Sequence, residues 1–137
     1  MTELAIQIGG GLSAGLGLAH CIFYRGFSWQ EDFAKTRELT AKILYTIHIF
    51  LIPFFFFFAY LSFVYTKELA GSTSIGISLT VFYSLFWLVR EFWQIYYFRP
   101  SRLKISGRLY ALHYFLVGYF FLMWAAYSYP LLFLTIK

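Results

Sequence analysis

Apolar residues fill this sequence in four long blocks, about 4–24, 41–66, 73–98 and 107–134, separated by short segments that hold most of the charges. A helix needs about 20 apolar residues to cross the hydrocarbon of a bilayer. The pattern therefore predicts an all-α fold in which four membrane-spanning helices form one antiparallel, up-down-up-down four-helix bundle. The first block is dense in small residues, and Gly10-x-x-x-Ala14, Gly11-x-x-x-Gly15 and Ser13-x-x-x-Gly17 all have the spacing that lets another helix approach closely. A face of this kind predicts packing within the chain, in a homo-oligomer or in a larger membrane complex.

The segment 26–40 predicts a short interfacial helix or an extension of the second span: Ser28-x-x-Glu31 matches a capping box that would start a helix at Trp29, and Phe27, Trp29 and Phe33 alternate with charges. Pro53 falls inside the second block, where a proline frees a backbone carbonyl and bends a helix. The stretch 67–72 reads as a short connection joining the second and third spans into a hairpin. In the third block, Thr80, Ser84, Trp87, Glu91, Gln94 and Phe98 share one stripe at 3.6-residue spacing, with Arg90 beside it, and the stripe is expected to face inward. Gly118 offers a close-packing point in the fourth block, and Pro130 marks its exit.

Composition supports the membrane reading. Only 12% of the 137 residues are charged, about half the share of a soluble domain, and the mean hydropathy is +0.67. Four spans use nearly all of this length, so no soluble catalytic domain is expected within it. The N-terminus carries Glu3 and no basic residue before its apolar run, unlike a secretory signal, so the first helix is expected to stay attached. The single cysteine, Cys21, excludes an intrachain disulfide and is read as a small buried hydrophobe. The net charge of +5 reflects loop residues and gives no reason to invoke nucleic acid. Arg25, Lys35, Arg37 and Lys42 fall in loop 1 and Arg99, Arg102, Lys104 and Arg108 in loop 3, against Lys67 and Lys137 opposite. That asymmetry places loops 1 and 3 in the cytoplasm and both termini outside.

The candidate chemistry lies in a polar layer. Arg90, Glu91 and Gln94 interrupt an aromatic run, and an ionisable residue in a bilayer costs roughly 2.5–3.5 kcal/mol on insertion scales, so it needs a partner or a use. Tyr45-x-x-His48 and Tyr110-x-x-His113 recur at one offset in the second and fourth blocks, each histidine roughly 6–9 Å inside a helix start. With His20, these residues suit four kinds of occupant: a metal held by His48, His113 and His20, an axially bound haem, a quinone or a lipid headgroup. The same residues also serve as interfacial anchors in an accessory subunit, and His48 or His113 as acid and base in a small intramembrane enzyme. No phosphate-binding loop, nucleophile elbow, HExxH or CxxC motif occurs.

Phe27-Ser28-Trp29, and Phe86-Trp87-Leu88-Val89-Arg90 with Gln94 four residues on, resemble a group of small four-helix bacterial inner-membrane proteins without assigned function. The resemblance covers nearly the whole chain and implies a fold but no activity. Size and topology are also similar to the membrane-associated glutathione-metabolising family. The arginine- and asparagine-rich stretch expected at the start of that family's second helix is absent from Lys42 to Phe50, so its activity is not carried over.

Overall fold

A computed structural model describes residues 1–98 and 107–133. Arg99, Pro100, Arg102 and Lys104 of loop 3, and Leu134 and Lys137 at the end, lie outside the described residues. Among the described residues the chain is helical and contains no strand: α1 (Thr2–Gly26), α2 (Trp29–Ala34), α3 (Glu38–Val64), α4 (Thr66–Ala70), α5 (Ser74–Tyr96), α6 (Gly107–Ser128) and a closing 3-10 turn (Tyr129–Phe133). Thr2–Gly26, Glu38–Val64, Ser74–Tyr96 and Gly107–Phe133 are each long and apolar enough to cross a membrane. No more than 33% of the most apolar stretch of any of them is buried, so their outer surfaces are largely hydrocarbon.

Three local expectations are corrected. α2 starts at Trp29 as the sequence predicts, but Ser28 takes a left-handed backbone (φ 52°, ψ 34°) and its side chain makes no cap bond. A capping serine acts from an extended backbone; here Glu31 N–H donates instead to the Ser28 carbonyl at 2.9 Å. The connection at 67–72 is partly helical, because Thr66 Oγ1 donates to the Ser62 and Phe63 carbonyls and the apolar Leu69 of α4 is buried. Gly118 packs against nothing, since a Cβ built there has no neighbour within 4 Å.

The chain divides into two compact units, one formed by Gly10–Leu61 and the other by Met1–Gly9 with Ser62–Lys137. In the first, α1 and α3 run antiparallel, as the contacts show: Gly17 faces the Phe56 ring, His20 meets Phe55 and Tyr24 meets Tyr45. Gly17 makes that approach close: a Cβ would lie 3.2 Å from the Phe56 ring, which would have to give way by a few tenths of an ångström. Gly11 and Gly15 of the same small-residue run are exposed instead, because the helix turns them to the opposite side. Cys21, expected to be buried, is exposed, with Sγ 3.4 Å from the Gly17 carbonyl.

In the second unit α5 and α6 also run antiparallel: Ser84 hydrogen-bonds Ser128 at 2.6 Å, Trp87 stacks on Phe120, and Gln94 reaches His113. α5 is started by Thr73, whose side chain accepts the Gly76 N–H. Its buried face comprises Gly76, Thr80, Tyr83, Ser84, Trp87, Glu91 and Gln94, the predicted stripe except for Phe98, which lies beyond the helix end and is exposed. Thr80 Oγ1 donates to the Leu69 carbonyl of α4 at 2.8 Å, and Gly76 lets α4 and α5 approach where a Cβ would collide with the Glu68 carbonyl. Ser62 hydrogen-bonds the Tyr127 hydroxyl at 2.8 Å, and Gly9 sits against the same ring.

Candidate functional site

The polar residues of α5 divide into two layers, separated by the ring pair of Trp87 and Phe120, which stack at 5.8 Å. The layer nearer the α5 N-terminus is made of hydroxyls that satisfy one another: Ser62 with Tyr127, Ser84 with Ser128, and Thr80 with the Leu69 carbonyl. These bonds join helices and leave little chemistry to explain.

The other layer differs in kind. Gln94 Nε2 donates to His113 Nδ1 at 3.0 Å in a buried contact across the α5–α6 interface. A neutral imidazole accepting at Nδ1 carries its proton on Nε2, so His113 retains a donor. Arg90 lies on the flank of the buried stripe, its guanidinium carbon 4.3 Å above the centre of the Phe120 ring. Glu91 is 8% exposed, on the buried face itself. Arg90 Nη1 and Glu91 Oε2 are both buried and have no hydrogen-bond partner.

Arg90 and Glu91 are near enough to attract each other, but neighbouring residues project about 100° apart on a helix, and no hydrogen bond joins Nη1 to Oε2. Among the described residues neither makes an ion pair. Arg90 is half-buried, and Glu91 carries the larger penalty: a buried carboxylate oxygen left without a hydrogen bond costs about 1–3 kcal/mol or more. Among the described residues, Arg90 Nη1 and Glu91 Oε2 are buried charged-group atoms without a hydrogen bond, which helix packing alone does not account for.

The remaining predicted site residues fall elsewhere. Tyr110 is exposed, its hydroxyl 3.3 Å from that of Tyr114 one turn on. His48, Tyr45 and His20 belong to the unit Gly10–Leu61, whereas His113 belongs to the other. His48 is buried under two rings, with His20 stacked at 5.5 Å and Trp29 edge-on at 4.8 Å, while Tyr45 is exposed and touches Tyr24. His20 Nδ1 is 2.9 Å from the Leu16 carbonyl, as a donor. His20 and His48 lie face to face, interplanar angle 22°, an arrangement that does not aim their nitrogens at one point. Among the described residues no three His, Cys, Asp or Glu side chains gather as a metal site would require.

Two features lay outside the sequence reading. The Trp29–His48 contact depends on the left-handed turn at Ser28, for which the sequence carried only a cap signal. The Phe120 face under Arg90 depends on the register of α6 against α5, and one phenylalanine among 18 gives no such signal. A shallow cleft of about 380 Å³, lined by Val89, Phe92, Trp93, Tyr96 and Tyr97, occupies the side of α5 away from Glu91. It contains no charged group.

Comparison with protein families, with curated proteins and with solved structures finds no match to this chain.

Proposed function

We propose that this chain is a multi-pass membrane protein that binds the polar head of a bilayer-soluble ligand at Arg90, Glu91, Gln94 and His113. The observation that carries the reading is the orphaned pair: two opposite charges with buried, unpartnered atoms, Arg90 Nη1 and Glu91 Oε2, in a helix whose other faces are aromatic and aliphatic. Such residues are expensive in a bilayer unless a partner meets them.

The membrane assignment is supported by inverted surface chemistry. Phe50, Ile75 and Val89 are at least 63% exposed, while Ser62, Thr80, Glu91, Gln94 and His113 are buried. Water would penalise that much exposed hydrocarbon, whereas lipid tails accept it. Four spans then cross as an up-down-up-down bundle, with loops 1 and 3 in the cytoplasm by the basic-residue asymmetry and both termini outside. The resemblance of the Phe86–Arg90 and Phe27–Trp29 stretches carries the further assignment to a bacterial inner membrane.

The reading is tested by purifying the full chain in mild detergent and identifying what accompanies it, by lipid mass spectrometry, absorbance spectrum and metal analysis. A bilayer-soluble species with a polar head should be retained by the wild type and lost from Arg90→Gln and Glu91→Gln. Equal content in all three proteins removes the site. A reporter fused after Lys137 should be active only if it works outside the cytoplasm.

A second reading, a subunit that assembles through α1, is favoured by one observation. Leu4, Ile8, Gly11, Gly15, Leu18 and Ile22 are all exposed and recur at alternating spacings of four and three, as on a helix-pairing seam. A Cβ at Gly11 would meet nothing within 4 Å, so the close-approach surface is open.

A further inference from the structure

We propose that the Arg90–Glu91 site takes a zwitterion, an ammonium beside a phosphate, with Arg90 holding the phosphate and Glu91 the ammonium. The inference rests on the binding reading above and narrows it by matching donors to acceptors. A guanidinium only donates hydrogen bonds, and an ionised carboxylate only accepts them. The ligand must therefore present an acceptor to Arg90 Nη1 and a donor to Glu91 Oε2, the two buried atoms that lack partners.

The other candidate occupants each leave one side unmet. An oxidised quinone offers two carbonyl acceptors and nothing to Glu91. The phosphodiester of an anionic lipid satisfies Arg90 and repels Glu91. A divalent metal satisfies Glu91 and is repelled by Arg90, and among the described residues no third ligand is gathered beside it. An ethanolamine phosphodiester, one negative and one positive charge, meets both charges and leaves the site with no net charge, which keeps the burial penalty lowest.

Geometry supports the division of labour. Arg90 rests its guanidinium over the Phe120 ring, with Cζ 4.3 Å from the ring centre, so the face is used and the N–H edge remains for an oxygen. Glu91 is on the buried face and Arg90 on its flank; the two attract each other but form no salt bridge, so Arg90 Nη1 and Glu91 Oε2 can each receive a different group of one headgroup. His113, with Nδ1 taken by Gln94, offers its Nε2 proton as a further phosphate donor.

The source of this headgroup is a phospholipid or a soluble ester, and one experiment separates them. The full chain, delipidated in detergent, is titrated with phosphatidylethanolamine, phosphatidylcholine, phosphatidylglycerol, a short-chain quinone and soluble phosphoethanolamine, and binding is read by native mass spectrometry. Phosphatidylethanolamine should bind about tenfold more tightly than phosphatidylcholine, whose quaternary ammonium cannot donate, and than phosphatidylglycerol. Glu91→Gln, which keeps the side chain's shape, should abolish that preference, and Arg90→Lys should weaken both phospholipids about equally. Circular dichroism and a monodisperse elution profile identify a folded variant. Should the variant unfold, the wild-type ranking of the five ligands decides alone.

Competition by soluble phosphoethanolamine at similar affinity assigns the soluble source, and its failure to compete assigns the lipid. Equal binding of phosphatidylglycerol and phosphatidylethanolamine overturns the zwitterion assignment, as does tighter binding of the quinone, which leaves the binding site standing. Absence of binding by all five overturns the assignment and the site together.

Discussion

Gln94 and His113 meet through one hydrogen bond, Nε2 to Nδ1 at 3.0 Å, buried at the α5–α6 interface. The bond joins two helices and fixes the imidazole proton on Nε2. Removing one partner leaves the other buried and unpaired, which typically costs about 1–3 kcal/mol. Gln94→Leu should lower stability within that range, and Gln94→Leu with His113→Phe should recover part of it. A double-mutant cycle by unfolding in mixed micelles should give a coupling of about 0.6–1.7 kcal/mol, the range for polar pairs in membrane helices. A coupling near zero would show that the pair contributes only by volume.

The two sides of α1 make opposite predictions. Gly17 faces Phe56, where a Cβ would lie 3.2 Å from the ring, so Gly17→Leu should reduce the yield of folded protein. Gly11 has open space around it, so Gly11→Leu should leave the monomer folded. Should α1 be an assembly face, Gly11→Leu shifts the oligomer toward monomer in size-exclusion chromatography with light scattering. An unchanged oligomer in that variant removes the second reading of function.

The four long helices and the buried stripe of α5 were legible because both follow from periodicity. Twenty apolar residues set a span, and a 3.6-residue repeat brings Thr80, Ser84, Trp87, Glu91 and Gln94 to one face. The partner of each face was not legible. Small residues marked α1 as a packing helix, but their spacing did not say that Gly17 turns inward and Gly11 outward, or that Gly9 would lie against Tyr127. The sequence matched Tyr45 with His48 and Tyr110 with His113, yet the histidine of each pair is buried and the tyrosine exposed. Three residues on a helix are 300° of turn, enough for the two side chains to diverge at the edge of a packed face. That Arg90 Nη1 and Glu91 Oε2 would be buried without a hydrogen bond depends on the neighbouring helix, since adjacency in sequence suggests a close pair that neighbouring positions on a helix do not readily form.

Gly76 allows α4 and α5 to approach at the Glu68 carbonyl, where even a methyl group collides with backbone. A flexible side chain can move aside, but a carbonyl in a short helix cannot do so without losing its place. Gly76→Ala should therefore destabilise more than the gain in helix propensity, about 1 kcal/mol, can offset. Thermal unfolding in detergent measures it, and a variant as stable as wild type would deny the close approach.

Phe120 provides the most direct test of how Arg90 is held. The guanidinium carbon lies 4.3 Å above the ring centre, and a desolvated cation–π contact is worth about 2 kcal/mol or more. The same ring stacks on Trp87 at 5.8 Å, so its removal has both a packing and an electrostatic effect. Phe120→Leu retains much of the apolar volume and deletes the π face, while Phe120→Tyr retains both. If the ring positions Arg90, Phe120→Leu should weaken ligand retention by about tenfold or more, the fold-change that corresponds to losing that contact. Phe120→Tyr, which keeps the π face, should retain ligand far better than Phe120→Leu. Thermal unfolding of the two variants separates loss of packing from loss of positioning. Unchanged retention in a folded Phe120→Leu protein would reduce the ring to a space-filler and leave Arg90 to be positioned by its own backbone and by the ligand.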